Sequence, residues 1–207
     1  MSPFPANPAR PGVVLISCLW VGAVAFGSVA LLRYEKAPGE ETGVAANWPG
    51  QSNLPRSLEL PTLLVFAHPK CPCTRATIGE LAVLMADGAG KVSATVVFMK
   101  PADVADEWSE TDLWRSAGAI PGVAVVHDEL GAEATRFGAR TSGHALLYAS
   151  DGRLLFQGGI TDGRGHAGAN DGRLSVAAFL KGGKPRTLVT RAFGCALFSP
   201  AGAACQP

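Results

Sequence analysis

An apolar run, Leu63-Leu64-Val65-Phe66-Ala67, stops at His68-Pro69. Two cysteines, Cys71 and Cys73, follow with one proline between them, and a helical pattern starts at once. This junction constrains the fold more than any other stretch. A short continuous apolar run has the form of a strand buried on both faces, and such a strand needs neighbouring strands and covering helices. Thiols placed between a buried strand and a helix start are also chemically special. The partial positive charge of the helix N-terminus stabilises a thiolate, which is the nucleophile in disulfide exchange.

The chain supplies the neighbours in order. Ile78, Leu81, Ala82 and Met85 recur at helical spacing, and Asp87-Gly88 provides a stop. Val92 to Met99 is β-branched and predicts a second strand, and 106–117, with Trp108 and Trp114, predicts a helix. Pro121-Gly122 leads into a third strand, Val123 to Val126, ended by His127-Asp128. Leu130, Ala134 and Phe137 suit a short helix ending at Gly138. Ala145 to Tyr148 and Arg153 to Gln157 flank Asp151-Gly152, a β-hairpin signal. A polar, Gly-rich loop from Thr161 to Arg173 and a helix, Leu174 to Leu180, follow; a loop that long without periodicity is often functional. Strands alternating with helices before a closing hairpin give an α/β order, parallel first and antiparallel last.

The N-terminus adds an appendage. Val13 to Leu32 comprises 20 residues without a charge, bracketed by Arg10 and by Arg33 and Lys36. About 20 apolar residues in a helix span a bilayer core. A cleaved signal peptide is the rival, with Ala23-Val24-Ala25 as its cleavage site, but the apolar run continues to Leu32 and favours retention. Leu15-Ile16-Ser17-Cys18 looks like a lipoprotein acylation site, with too short an apolar stretch before Cys18 and apolar residues after it. The expected organisation is a short tail (1–12), a transmembrane anchor (13–32), a Pro/Gly-rich tether (33–57), a domain (58–182) and a C-terminal extension (183–207) with Cys195 and Cys205. Within the tether, Trp48-Pro49 is expected to dock on the domain. A length of 207 residues suits one α/β domain plus such an appendage. A net charge of +1 without a basic cluster argues against nucleic acid as a partner.

On this order of elements and the Cys-Pro-Cys junction, the chain resembles the thioredoxin superfamily over about residues 58 to 182. It is most similar to membrane-anchored bacterial thioredoxin-like proteins of extracytoplasmic thiol reduction and cytochrome maturation. The segment from Val125-Val126-His127-Asp128-Glu129-Leu130-Gly131 to Phe137-Gly138 looks like their extra central strand–helix insertion. Ala145 to Arg153 resembles their closing hairpin. The His-Pro-x-Cys-Pro-Cys start is also similar to that of a small bacterial group labelled RedB-like. The resemblance implies a thioredoxin-like mixed sheet flanked by helices, preceded by one N-terminal transmembrane helix. It further implies a single-pass protein of the bacterial inner membrane with its C-terminal domain in the periplasm. Its partners would be protein thiols or disulfides outside the cytoplasm, and membrane lipid around the anchor, with no cofactor.

Three positions depart from the family pattern. The pair is Cys-x-Cys, and Thr74 stands where the second cysteine is usual. Val65 stands where the family commonly places a buried acid, and Gly143 aligns with its cis-proline, which helps to hold the substrate chain.

The candidate catalytic residues are therefore Cys71, Cys73, His144, His68 and Cys195. Cys71 is the expected attacking thiol, with Lys70 adding a nearby positive charge. Cys73 is the expected resolver of a mixed disulfide, through a small and strained ring. His144 follows Gly143 and is expected beside the cysteines, to stabilise the Cys71 thiolate or accept its proton; His68 is the second proton handler. Three readings stay open for Cys195: a remote resolving cysteine, a disulfide partner of Cys205, or a buried small hydrophobe. Two other functions compete with disulfide exchange. Cys71, Cys73, His144 and Cys195 make a soft donor set of the kind that selects Cu(I), as in a copper carrier of this fold. The other is a non-catalytic thioredoxin-like binding module.

Overall fold

Leu63 to Ala67 is apolar at every position because both faces of its strand are covered. The computed structural model describes residues 9–40, 43–102 and 104–198. Strand β1 (Thr62–Ala67) is buried at all six positions and pairs in parallel with β2 (Ser93–Lys100). β2 pairs in parallel with β3 (Val123–Glu129). On the other side, β4 (His144–Tyr148) runs antiparallel to β1, and β5 (Leu154–Gly159) antiparallel to β4. The five-stranded mixed sheet has the order β3-β2-β1-β4-β5, so the strand that delivers the cysteines is its centre.

The period of two along each strand divides the core. Leu63, Val65, Ala67, Val96, Ala145 and Leu147 face one side. They pack against Ile78, Leu81, Leu84 and Met85 of helix α2 (Thr74–Asp87), Leu113 and Ala117 of α3 (Asp112–Gly118), and Val176 and Leu180 of α5 (Asp171–Leu180). Leu64, Phe66, Val97, Met99, Leu146 and Tyr148 face the other side. There the regular cover is one short helix, α4 (Ala132–Phe137), which contributes Ala134 and Phe137. Val65, at the family's acid position, is thus a core residue under α2.

Six residues of α4 do not cover that second face, and the remaining cover comes from segments without regular structure. Trp48 sets its ring edge-on to Phe137 and Tyr148, with centroids 5.1 and 5.4 Å away. Leu54 joins the same core, and the Tyr148 hydroxyl donates to the Ala45 carbonyl at 2.7 Å. Leu154 N–H donates to the Ala46 carbonyl, and Trp48 N–H to that of Gly152. The stretch expected as a tether is therefore docked on the domain, with Gly39 N–H donating to the Ala192 carbonyl and Thr141 Oγ1 to that of Glu40, and the compact unit begins at Lys36. Exposed aromatic and apolar sheet surface is what draws it down. The C-terminal extension does the same with Leu197 and Phe198.

Several elements differ in extent from the sequence reading, α5 among them, since it starts at Asp171 inside the stretch expected as loop. The 106–117 helix is broken: Asp106–Trp108 is a 3-10 turn, and α3 starts only at Asp112. β3 runs past His127 to Glu129, because Phe98, Met99 and Lys100 of β2 continue to pair with it.

The other compact unit is helix α1 (Ala9–Glu35). From Pro11 to Glu35 it is 25 residues long and contains an 18-residue stretch with a mean hydropathy of 2.2, long and apolar enough to cross a membrane.

Candidate functional site

At the end of β1, His68-Pro69-Lys70 turns the chain and Cys71 N–H donates to the His68 carbonyl at 3.1 Å. Thr74 N–H then donates to the Cys71 carbonyl, and α2 begins with Cys73 as its N-cap. The two thiols differ in access. Cys71 is 1% exposed and Cys73 is half-buried.

What lies against Cys71 is the C-terminal segment. The backbone N–H of Cys195 donates to Cys71 Sγ at 3.3 Å. Cys71 is pulled from the ordinary thiol value down to about 4. The chief cause is the Cys195 thiol donating to it, with the Cys195 N–H, the Thr74 hydroxyl and the Cys73 N–H adding to the effect against the opposing cost of burial. The same contact pushes the Cys195 thiol up, since it must keep its proton to donate; burial and the negative charges of Cys71 and Cys73 act in the same direction. Cys73 is also raised, by burial and then by the Cys71 charge, with Arg164 opposing. The negative charge is therefore held at Cys71.

Position 74 works here as a hydroxyl. Thr74 Oγ1 lies 2.7 Å from Ser142 Oγ, and Ser142 Oγ accepts from His68 N–H at 2.8 Å. Ser142 N–H donates to the Cys195 carbonyl at 2.8 Å, and Gly143 N–H to the Phe66 carbonyl at 2.7 Å. The loop before β4 thus clamps the end of β1, the start of α2 and the C-terminal segment together. Gly143 has φ +89°, and a Cβ there would meet Thr77 Oγ1 at 2.9 Å, so the position suits glycine. No peptide bond is cis among the described residues.

The two histidines are placed differently. His144 opens β4 opposite Phe66 and is 6% exposed. Burial alone lowers it to about 4, so its ring is neutral at neutral pH, and its buried Nδ1 has no hydrogen-bond partner. His68 Nδ1 accepts from Lys70 N–H at 3.1 Å, and its ring stands edge-on to Trp108. The Lys70 ammonium sits over that same Trp108 ring at 4.6 Å from its centroid. The donors that lower Cys71 are those named above, so the expected contribution of Lys70 is replaced by hydrogen bonds from Cys195, Thr74 and Cys73.

Sequence reasoning passed over Arg164, Ser142 and Glu80. Arg164, from the Gly-rich loop, donates to the Gly194 carbonyl at 2.5 Å and acts electrostatically on both Cys73 and Cys195. Its only signal was the unusual length of that loop. Glu80, buried in α2, pairs with Arg173 at 2.7 Å and accepts from Gly168 N–H at 2.6 Å, which ties the loop to α2. Cys205 lies outside the described residues. Among the described residues, no group of three or more His, Cys, Asp or Glu is placed to hold a metal ion. An apolar groove of about 600 Å³ between α2 and the end of α3 is lined by Ala82, Met85, Ile120 and Pro121 among others, and contains no thiol.

A central parallel strand ending in a thiol pair at a helix start, beside an antiparallel closing hairpin, defines a thioredoxin-like fold. No protein-family model matches the sequence, and no curated protein matches it. Among solved structures, the chain is similar to a hypothetical protein from Sinorhizobium meliloti 1021, at 21% identity and TM-score 0.57, over 75% of this chain and 94% of that one. It is also similar to an uncharacterized conserved protein from Geobacillus kaustophilus, at 18% identity and TM-score 0.55, over 80% and 94%. These two likenesses bear on the fold alone. A looser one, at TM-score 0.41 and 12% identity over 59% and 84%, is to the exposed lipoprotein thioredoxin Etrx1 of Streptococcus pneumoniae.

Proposed function

We propose that this chain is a membrane-anchored thiol–disulfide oxidoreductase acting outside the cytoplasm, with Cys71 as its nucleophile. The observation that carries the reading is the state of Cys71. It sits at the N-terminus of α2, is held well below the ordinary thiol value, and has two further thiols, Cys73 and Cys195, as neighbours. A buried structural cysteine has no use for a stabilised thiolate, whereas exchange depends on one. Protein disulfides or thiols are its substrates. Because burial keeps His144 neutral near pH 7, it would not stabilise the Cys71 thiolate by charge. His68 would position the turn that carries Cys71.

Helix α1 would anchor the protein in the bacterial inner membrane and leave the thiol domain in the periplasm, where disulfides persist. Protease added to intact spheroplasts should then digest the domain.

Insulin reduction by dithiothreitol tests the activity directly, using the full chain in detergent micelles. Turnover is expected from the natural chain and should vanish in Cys71→Ser. An inactive natural chain whose Cys71 never enters a disulfide after oxidation would overturn the reading. Copper that binds stoichiometrically and is lost in Cys71→Ser would favour a carrier instead.

A further inference from the structure

We propose that Cys195 is the resolving cysteine for Cys71, carried to it by a C-terminal strap that pairs with the loop before β4. The proposal rests on the thiol-exchange reading above and assigns the second thiol of that reaction.

The path of the strap is fixed by backbone pairing. Residues 187–190 run along β5: Gln157 N–H donates to the Leu188 carbonyl, and Thr190 N–H returns to the Gln157 carbonyl, both at 3.0 Å. Thr190 Oγ1 donates to the Gly159 carbonyl at 2.7 Å. Further on, Thr141 and Ala196 form an antiparallel bridge, and Leu197 N–H donates to the Arg140 carbonyl at 2.8 Å. Buried anchors flank the cysteine, with Ala192 on one side and Leu197 and Phe198 on the other. Clearance for this path is provided by glycines. A Cβ at Gly158 would meet the Thr190 carbonyl at 2.1 Å, and one at Gly194 would meet the Ser142 carbonyl at 2.0 Å. A segment seated through missing side chains and anchored on both sides is built into the site.

Within this frame Cys195 has the better access to Cys71. Cys73 shares a turn with Cys71, one rigid proline away, and that turn is locked by Cys71 N–H to the His68 carbonyl and Thr74 N–H to the Cys71 carbonyl. A bond across it has to distort the start of α2. Cys195 arrives from a separate segment, 124 residues on in the chain, with its N–H already on Cys71 Sγ. The strap also lies over a Cys71 that is only 1% exposed. Substrate must therefore displace the strap to reach the thiolate, and the returning strap brings the resolving thiol.

The Cys71 thiolate attacks a protein disulfide, forming a Cys71–substrate disulfide and releasing one substrate thiolate. That thiolate takes up a proton. Cys195 gives up its proton and attacks Cys71 Sγ, forming Cys71–Cys195 and releasing the second substrate thiolate, which is protonated in turn. The two protein thiols are oxidised by two electrons and the substrate disulfide is reduced to two thiols. An external dithiol reverses the change.

The test uses the full chain in detergent, with oxidised glutathione as the probe disulfide, acid quench, alkylation and peptide mass spectrometry. Cys205→Ser is run beside the natural chain, so that each link to the terminal peptide is unambiguous. The expected product is Cys71–Cys195 with Cys73 alkylated. Cys195→Ser should hold glutathione on Cys71, and Cys73→Ser should still close Cys71–Cys195. Gly194→Ala keeps every thiol but pushes the strap off Ser142; it should glutathionylate faster and close more slowly. If Cys73→Ser retains glutathione while Cys195→Ser closes Cys71–Cys73, the proposal is overturned and thiol exchange stands. A Cys195–Cys205 bond as the natural product also overturns it, as does unchanged closure in Gly194→Ala. If no chain takes glutathione at Cys71, the exchange reading itself falls.

Discussion

Removing the Cys195 thiol should move the ionisation of Cys71 by an amount that can be worked out. In the folded chain the Cys195 thiol is the largest influence holding Cys71 at about 4. Cys195→Ala deletes that donor but keeps the backbone N–H that sits 3.3 Å from Cys71 Sγ. A hydrogen bond to a charged group contributes about 1.5–3 kcal/mol, and one pKa unit is about 1.4 kcal/mol. Loss of a donor destabilises the thiolate, so the value should rise by about 1–2 units, to about 5–6. Ultraviolet thiolate absorbance against pH, on the full chain with Cys71→Ser as the blank, reads it directly. At pH 7 Cys71 remains ionised in both forms, yet thiolate nucleophilicity grows with basicity. Attack on a small disulfide should therefore quicken by about 3–10-fold. Stability follows with a definite sign. A thiol whose folded value is depressed contributes fully above its ordinary range and loses that contribution as pH falls through the folded value. In both chains the loss begins in the ordinary thiol range, so in Cys195→Ala it should be smaller and should end at a higher pH than in the natural chain. An unchanged midpoint would show that Cys195 does not hold the thiolate, and a midpoint in the ordinary thiol range would show that the N–H and Thr74 contribute nothing.

Two further outcomes concern the frame around the site. Glu80→Ala leaves Arg173 without its buried partner and frees Gly168 N–H, and should cost about 3 kcal/mol in urea unfolding; a loss within 0.5 kcal/mol, of the order of a surface change, would refute the role of this pair. Asp128 caps α4 by accepting from Glu133 and Ala134 N–H, and burial pushes its carboxyl up to about 6. A raised folded value means that the native chain holds the proton longer than the unfolded one. Between about pH 4 and 6 this group should therefore lower stability as pH rises, by up to about 3 kcal/mol. Asp128→Asn should abolish that slope, and a slope equal to the natural chain's would refute the assignment.

The sheet and its thiol junction were legible in the sequence because each depends on local pattern. Leu63 to Ala67 reads as a doubly covered strand, Ile78 to Met85 carries a helical stripe, and Asp151-Gly152 marks its hairpin; period and turn chemistry act within a few residues. Of the cover of the second sheet face, only the docking of Trp48 was legible. Gly43 to Leu54 and residues 187–198 have no period, and they are ordered by the apolar surface that α4 leaves open. Within the site, sequence alone named Cys71, Cys73 and Cys195 as thiols and marked Thr74, Val65 and Gly143 as departures from the family pattern. Only the tertiary structure decided what lies against Cys71. The contact that lowers it spans 124 residues, and it exists because Ser142, Gly194 and Arg164 hold the strap in place. A contact between segments that far apart leaves no periodic trace in the chain, since it is set by how the backbone pairs after the sheet has formed.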